Sequence, residues 1–150
     1  MPQEFIDKTW LGEGFAFPVA PTEAGDLAHA QYEESVRQSI LIILGTTKGE
    51  RVMRPDFGCG IYDLVFEVNS PSTASKVSQV VQESLLLFEP RIDVLSIRVE
   101  SRSDNENVGL DNQGVKQIVS KLMIAIDYQV RATNNVFNLV YPFFLERSPG

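Results

Sequence analysis

Two stretches of the chain carry apolar residues at helical spacing. In the first, which runs from about Leu27 to Leu44, one stripe consists of Tyr32, Val36, Ile40, Ile43 and Leu44. In the second, Ser70 can cap a helix that starts at Pro71 and that Pro90 ends. The stripe of this second helix consists of Ala74, Val77, Val81, Leu85 and Phe88. The pattern therefore predicts two amphipathic helices, near residues 27–44 and 71–88.

Strands are predicted elsewhere in the chain. Three long strands are expected at residues 91–102, 115–131 and 136–146, with a shorter one at 50–54. The helical and strand periods occupy separate stretches, which is typical of the α+β class. We therefore expect two main helices packed on a mostly antiparallel sheet.

Local signals refine these strands. The apolar phase changes between Val94 and Leu95, which indicates a β-bulge. Strand 115–131 has one apolar face, made by Leu122, Ile124, Ile126, Tyr128 and Val130. Asn134 and Asn135 follow it and tolerate positive φ, so a hairpin is expected to lead into the last strand. Residues 103–114 are polar and acidic and are expected to form a loop.

The last predicted strand, 136–146, is apolar on both faces. One face carries Phe137, Leu139, Tyr141 and Phe143, and the other carries Val136, Val140 and Phe144. On a small domain such a strand is expected to be hidden in a sandwich or covered by another chain. Pro142 has no N–H, so either its side of the strand faces outward or the ladder breaks there.

The beginning of the chain differs from the rest in composition. Residues 1–34 contain seven acidic residues and one basic residue, Lys8, together with the aromatic residues Trp10, Phe15 and Phe17. We interpret residues 1–27 as an acidic arm and residues 28–150 as a single domain. The arm is expected either to lie on its own domain or to pair with a neighbour.

Charge and residue usage exclude several function classes. A net charge of −7 argues against binding to nucleic acid or to an anionic membrane. The longest apolar run, residues 40–44, is too short to span a bilayer, and the acidic start does not resemble a signal peptide. His29 and Cys59 are each the only residue of their type, so a zinc site of the usual His/Cys kind is not expected. We expect no cofactor, and a single cysteine is typical of a reducing compartment.

Three segments together resemble one family, the GPW family of baseplate wedge proteins, long called gene-twenty-five-like lysozymes. The first is residues 39–60, SILIILGTTKGERVMRPDFGCG, and the second is FEPRI at residues 88–92. The third combines DYQVRATNN at residues 127–135 with NLVYPF at residues 138–143. The likeness covers roughly residues 28–145 in order, and it is the combination that makes it specific.

The resemblance implies a structural function in a contractile phage tail, a type VI secretion system or an extracellular injection particle. The fold would be similar to the strand-exchange domain of sheath proteins. Its sheet would accept strands from the first sheath ring and so start sheath assembly. The candidate sheath contacts are Val136, Phe137, Leu139, Val140, Tyr141, Phe143 and Phe144.

The resemblance also implies partners and a location. Glu89, Pro90 and Arg91 would dock on the helical core bundle formed by other wedge proteins, near central hub or tube-initiating proteins. Multiple copies would occupy a sixfold baseplate, assembled in the cytoplasm before the tail or particle is complete.

Glu89, Pro90 and Arg91 have a second interpretation, in which the proline ends a helix and the two charges either remain in water or pair weakly, contributing about 0–1 kcal/mol. If Arg91 is exposed, its replacement by alanine is expected to leave the isolated domain folded. The family's old name also keeps open a peptidoglycan-degrading lysozyme, with Glu89 as the first candidate for the catalytic acid. We expect no catalytic residues, because nothing else in the chain is typical of a saccharide groove.

Overall fold

Two helices pack against a three-stranded sheet in the computed structural model, which describes residues 8–103, 109–110, 116–117 and 120–145. In chain order the elements are β1 (Glu13–Phe15), β2 (His29–Gln31), α1 (Tyr32–Gly45), α2 (Pro71–Phe88), β3 (Ile92–Ser103), β4 (Gly109–Leu110), β5 (Lys116–Gln117), β6 (Ser120–Val130) and β7 (Val136–Leu145). Short 3-10 helices at Thr9–Leu11 and Gly60–Leu64 precede β1 and α2. The α+β class predicted from the sequence is confirmed.

The main sheet has the order β3-β6-β7, and both neighbouring pairs are antiparallel. The register between β3 and β6 shifts between Val94 and Ser96, so the predicted bulge is confirmed. Asn134 has a φ of 52°, and its N–H donates to the Val130 carbonyl in the turn that joins β6 to β7. The asparagine-based hairpin is therefore also confirmed.

The core lies between the inner face of this sheet and the two helices. All five apolar residues predicted for the inner face of β6 are buried, and so are Val77, Val81 and Leu85 of α2. From α1 the core receives Val36, Ile40 and Leu44. Each large aliphatic side chain buried in this way stabilises the fold by about 1.5–3 kcal/mol. Helix α2 begins as predicted, because the Ser70 hydroxyl accepts a hydrogen bond from the Thr73 N–H at 3.2 Å.

The first helix starts later than the sequence predicted. It begins at Tyr32 rather than near Leu27, because His29–Gln31 pair with Glu13–Phe15 in a small antiparallel sheet. Tyr32 itself has a φ of 56°, so its backbone cannot continue a right-handed helix toward the N-terminus. The apolar period continues across this break, which is why periodicity alone placed the helix start too early.

The strand predicted at residues 50–54 is absent, and these residues form a loop. The Gly49 N–H donates to the Pro55 carbonyl, and the Cys59 N–H donates to the Thr46 carbonyl, so the segment closes on itself. Val52 and Met53 are consequently 93% and 91% exposed. The prediction of a strand here is wrong because the backbone of this segment pairs within its own loop and has no neighbouring strand.

The strand predicted at 115–131 is shorter than expected. Its main part is β6, whereas Lys116–Gln117 pair separately with Gly109–Leu110. No helix occurs within 115–131 at any position that the structure describes. Most of the predicted loop at 103–114 lies outside the described residues. No helix in the described part of the chain is both long enough and apolar enough to cross a membrane.

Candidate protein-docking surfaces

The buried Glu89 and the half-buried Arg91 form an ion pair where α2 turns into β3. The Glu89 N–H closes the last turn of α2 by donating to the Leu85 carbonyl at 2.9 Å. Its side chain is only 2% exposed, and both carboxylate oxygens accept hydrogen bonds from Arg91, at 2.6 Å from Nε and 2.6 Å from Nη2. This is the bidentate geometry that makes an arginine–carboxylate pair strong and directional.

The remaining donors of Arg91 also point into the protein. Nη1 donates to the Leu11 carbonyl at 2.5 Å, and Nη2 donates to the Ser39 hydroxyl at 2.9 Å. The Arg91 carbonyl accepts the Arg131 N–H at 3.0 Å. The hydrogen bond with Glu89 raises the pKa of Arg91 above its ordinary value. One guanidinium therefore ties together the N-terminal 3-10 helix, α1 and the end of α2.

The interpretation that both charges of this corner remain in water is therefore wrong. Pro90 is exposed, but the two charged groups face inward because α1 and the N-terminal segment close over them. The geometry is also unfavourable for Glu89 as a glycosidase acid. A catalytic acid must hold a proton and contact a sugar, whereas both oxygens of Glu89 accept from Arg91 and are screened from solvent.

Strand β7 forms one edge of the main sheet. The Val130 N–H donates to the Asn135 carbonyl at 3.0 Å, and this pair continues the register of β6 and β7. Because hydrogen-bonded and non-bonded pairs alternate in an antiparallel ladder, odd-numbered residues of β7 point their backbone groups at β6. Even-numbered residues point theirs at the open edge. Pro142 is one of them, so its missing N–H costs the ladder nothing.

The two faces of β7 differ in burial. On the inner face Leu139 and Phe143 are buried, while Phe137 and Tyr141 are half-buried. On the outer face Val136, Val140 and Phe144 are exposed. The predicted separation into two apolar faces is thus correct, and the outer one is uncovered in the single chain. β7 therefore combines an open edge with exposed apolar side chains.

The outer face of the sheet also carries a polar network centred on Asp127. Its carboxylate accepts hydrogen bonds from Ser96 at 2.7 Å, Asn138 at 2.6 Å and Arg98 at 3.0 Å. These bonds, the one from Ser96 first, hold the pKa of Asp127 below its ordinary value. The network joins β3, β6 and β7 across the outer face, which stiffens the sheet behind its open edge.

Tyr141 fixes β7 to the second 3-10 helix. Its hydroxyl lies 3.0 Å from that of Tyr62, and the two are hydrogen-bonded. Burial, followed by this hydrogen bond, raises the pKa of Tyr141 well above its ordinary value of 10.0. The inner face of β7 is therefore anchored to the rest of the domain through this pair of hydroxyl groups.

This anchor predicts a loss of stability in alkali. The folded state holds the Tyr141 proton more tightly than the unfolded state, so the stabilisation is complete below about pH 10 and declines as pH rises beyond it. We expect the free energy of unfolding, measured by urea titration, to fall as the pH rises above about 10. Tyr141→Phe should be less stable at pH 7 and should show a shallower decline. Equal slopes for the two proteins would contradict this role of Tyr141.

The described part of the predicted arm lies on its own domain. The hairpin β1–β2 is held to α1 by the Phe17 N–H, which donates to the Gln38 side chain at 2.8 Å. Leu11 is fully buried in the core. The aromatic side chains of the segment nevertheless remain exposed: Trp10, Phe15 and Phe17. In the single chain, the described part of the arm therefore packs in cis and leaves its aromatic surface open.

The only histidine and the only cysteine of the sequence do not come together. Cys59 is buried in the core, and burial raises the pKa of its thiol. His29 lies on β2, where it contacts the Glu13 carboxylate at 2.8 Å and the Phe15 ring. Among the residues that the structure describes, no group of three or more His, Cys, Asp or Glu side chains could hold a metal ion.

Residues 30–135 match the family described as baseplate wedge protein gp25. The chain belongs to this family. It is 36% identical over 74 residues to baseplate wedge protein gp25 of Enterobacteria phage T4, an alignment that covers 49% of this chain and 56% of the T4 protein. The match thus spans only a little more than half of that curated relative.

Two solved structures of this baseplate wedge fold extend the comparison. A putative tail lysozyme from Geobacter sulfurreducens is 47% identical and has a TM-score of 0.62, with 77% of this chain and 93% of that chain covered. A chain of the anti-feeding prophage baseplate is 20% identical and has a TM-score of 0.59. The match covers 95% of this chain and 92% of that chain. The second likeness shows the fold alone.

Proposed function

We propose that this chain is a structural baseplate component that initiates sheath assembly in a contractile tail or injection machine. In this proposal, β7 accepts an extended strand from a subunit of the first sheath ring. The single observation that carries it is the open edge of β7, with its exposed outer residues Val136, Val140 and Phe144. Membership of the baseplate wedge family supports the setting in which such an edge would be used.

The chemistry of the edge favours strand addition. Four N–H groups, those of Val136, Asn138, Val140 and Phe144, point away from β6 and can pair with a partner strand. An exposed edge strand promotes aggregation, and proteins usually protect such edges. An unprotected edge therefore suggests that a partner uses it. A partner strand would gain affinity from main-chain hydrogen bonds and specificity from alternate side chains. Pro142 limits the pairing, because the partner finds no donor at that position.

We further propose that Glu89, Pro90 and Arg91 support docking on helical wedge proteins. Pro90 is the exposed member of the corner, and the buried pair of Glu89 and Arg91 fixes the shape around it. Central hub or tube-initiating proteins would lie nearby, and several copies of the chain would occupy a sixfold baseplate after assembly in the cytoplasm. The role is not enzymatic in this proposal, since the closed Glu89–Arg91 pair leaves no free acid at the corner.

A single introduced cysteine can test the proposed sheath contact. Cys59 is fully buried and its thiol pKa is raised, so a surface cysteine would be the reactive one. We expect Val140→Cys, loaded with a short thiol-linked photo-cross-linker in assembled particles, to join this chain to the sheath subunit. Glu100→Cys, on β3 at the opposite edge, is the matched control. Equal sheath cross-linking from both positions, or none from Val140→Cys, would contradict strand addition at β7.

A further inference from the structure

A short turn near the N-terminus is held rigidly although one of its residues points into solvent. We call residues 8–12 the Trp10 turn; it contains the 3-10 helix Thr9–Leu11. Lys8 is paired with Glu33 of α1 at 2.7 Å, and the Leu11 side chain is fully buried. The Leu11 carbonyl accepts from Arg91, and the Gly12 carbonyl accepts from the Tyr32 N–H at 3.3 Å.

Trp10 is the aromatic residue that this turn presents. Its side chain is 54% exposed, although the residues on both sides of it are anchored to the domain. Tryptophan is the residue type most enriched among binding hot spots, and a side chain on a rigid turn loses little freedom on binding. Exposing a large apolar ring on a fixed support has no benefit for the single chain, so the arrangement indicates a partner.

The surroundings of the Trp10 turn indicate the chemistry of that partner. Along the following hairpin several further apolar side chains are exposed: Phe15, Phe17, Val19, Leu27 and Tyr32. Residues 8–34 also contain five acidic residues. Glu33 pairs with Lys8 and Glu34 pairs with Arg37, whereas the other three acidic residues have no lysine or arginine partner in the part of the chain that the structure describes: Glu13, Glu23 and Asp26. Tyr32 holds a positive φ that is uncommon for an aromatic residue, and such local strain is typical of functional segments. An apolar surface with acidic surroundings fits an apolar pocket bordered by basic residues.

We infer that Trp10 is the anchor by which this chain binds a neighbouring baseplate protein, through an apolar pocket rimmed by lysine or arginine. The inference rests on the proposed baseplate function and adds the residue that makes the contact. It also assigns the Glu89–Arg91 pair a positioning role. Arg91 holds the Leu11 carbonyl and thereby positions the neighbouring Trp10, without contacting the partner itself.

Tryptophan fluorescence provides the first test, because Trp10 is the only tryptophan in the chain. The probe is the wedge complex purified from the same particle and lacking this chain, in a form whose own tryptophans are replaced by a non-emitting analogue. On mixing, we expect the Trp10 emission to shift to the blue and its quenching by acrylamide to fall. An unchanged spectrum at saturating wedge complex would overturn the inference.

Affinity measurements provide the second test. Trp10→Ala should weaken binding to that wedge complex about 30-fold, as expected for a hot-spot residue. The matched control is Phe66→Ala, another exposed aromatic residue, which should bind within about twofold of the unaltered chain. Raising the salt concentration should also weaken the binding of the unaltered chain to the wedge complex, because salt screens the attraction between its acidic residues and the basic rim. Equal loss in both variants, or none in Trp10→Ala, would overturn the assignment.

A photo-reactive residue at position 10 identifies the occupant of the surface. Cross-links from assembled particles to a basic segment of a wedge protein would support the inference. Cross-links to the sheath, or to a second copy of this chain, would overturn it while leaving the baseplate function intact. If the chain is missing from purified baseplates altogether, the proposed function itself fails, so the two failures are distinguishable.

Discussion

Replacing Arg91 with alanine is expected to reduce the free energy of unfolding by about 3–5 kcal/mol, because the change leaves the Glu89 carboxylate buried and unpaired. The variant also loses the bonds that Arg91 donates to the Leu11 carbonyl and the Ser39 hydroxyl. Domains of this size are stable by only about 5–15 kcal/mol, so the loss is a large share of the total stability. Urea denaturation followed by circular dichroism measures the loss.

Two controls make this prediction sharp. Arg98→Ala also removes an arginine from a carboxylate pair, but Arg98 is well exposed, so we expect a loss of no more than about 1 kcal/mol. The double variant Glu89→Leu with Arg91→Met should recover much of the stability, because it removes both charges together. A single Arg91→Ala variant as stable as Arg98→Ala would show that the pair is not structurally important.

This result would also change how docking variants are interpreted. The expectation drawn from sequence, that Arg91→Ala leaves the isolated domain folded, assumed an exposed side chain and is not supported by its burial. If Arg91→Ala lost its binding to wedge proteins, unfolding of the domain would explain the loss as well as the removal of a direct contact. Docking is therefore better tested at exposed positions such as Pro90 and Trp10.

Replacing Val140 with proline is expected to abolish sheath assembly while leaving the domain folded. The Val140 N–H points to the open edge of β7, so the substitution removes a donor that the single chain does not use. Pro142 already occupies an equivalent position on the same strand. The variant should join the baseplate normally, and electron microscopy should show tubes without an extended sheath.

Val140→Thr is the matched control for that experiment. It keeps the N–H and a β-branched side chain, so particles carrying it should assemble a normal sheath. Leu139→Pro should instead unfold the domain, because the Leu139 backbone points at β6 and its side chain is buried. Normal sheath on particles carrying Val140→Pro would mean that strand exchange, if it occurs, uses a different edge.

Much of the fold follows from local pattern. Helix α2 lies within one residue of its predicted limits because its cap, its first-turn proline and its final proline are all sequence-local signals. The bulge after Val94 and the apolar face of β6 could also be predicted from the sequence, because the alternation of side chains between two faces is a property of a single strand. The α+β class follows from these elements without knowledge of their arrangement.

The errors occur where a segment's state depends on a distant partner. Residues 29–31 are a strand only because Glu13–Phe15 pair with them, and residues 50–54 are a loop because no strand lies beside them. Backbone pairing across such distances leaves no periodic trace in a short segment.

The sequence by itself therefore determined the two main helices, the three long strands, the fold class and the two-faced character of the last strand. Only the tertiary structure decided that β7 lies at an edge of the sheet, and that Arg91 faces inward to meet Glu89, Ser39 and Leu11. The physical reason is that burial and pairing are properties of the assembled chain. The burial of a charged residue depends on segments that are distant in the sequence and cover it only in the folded protein.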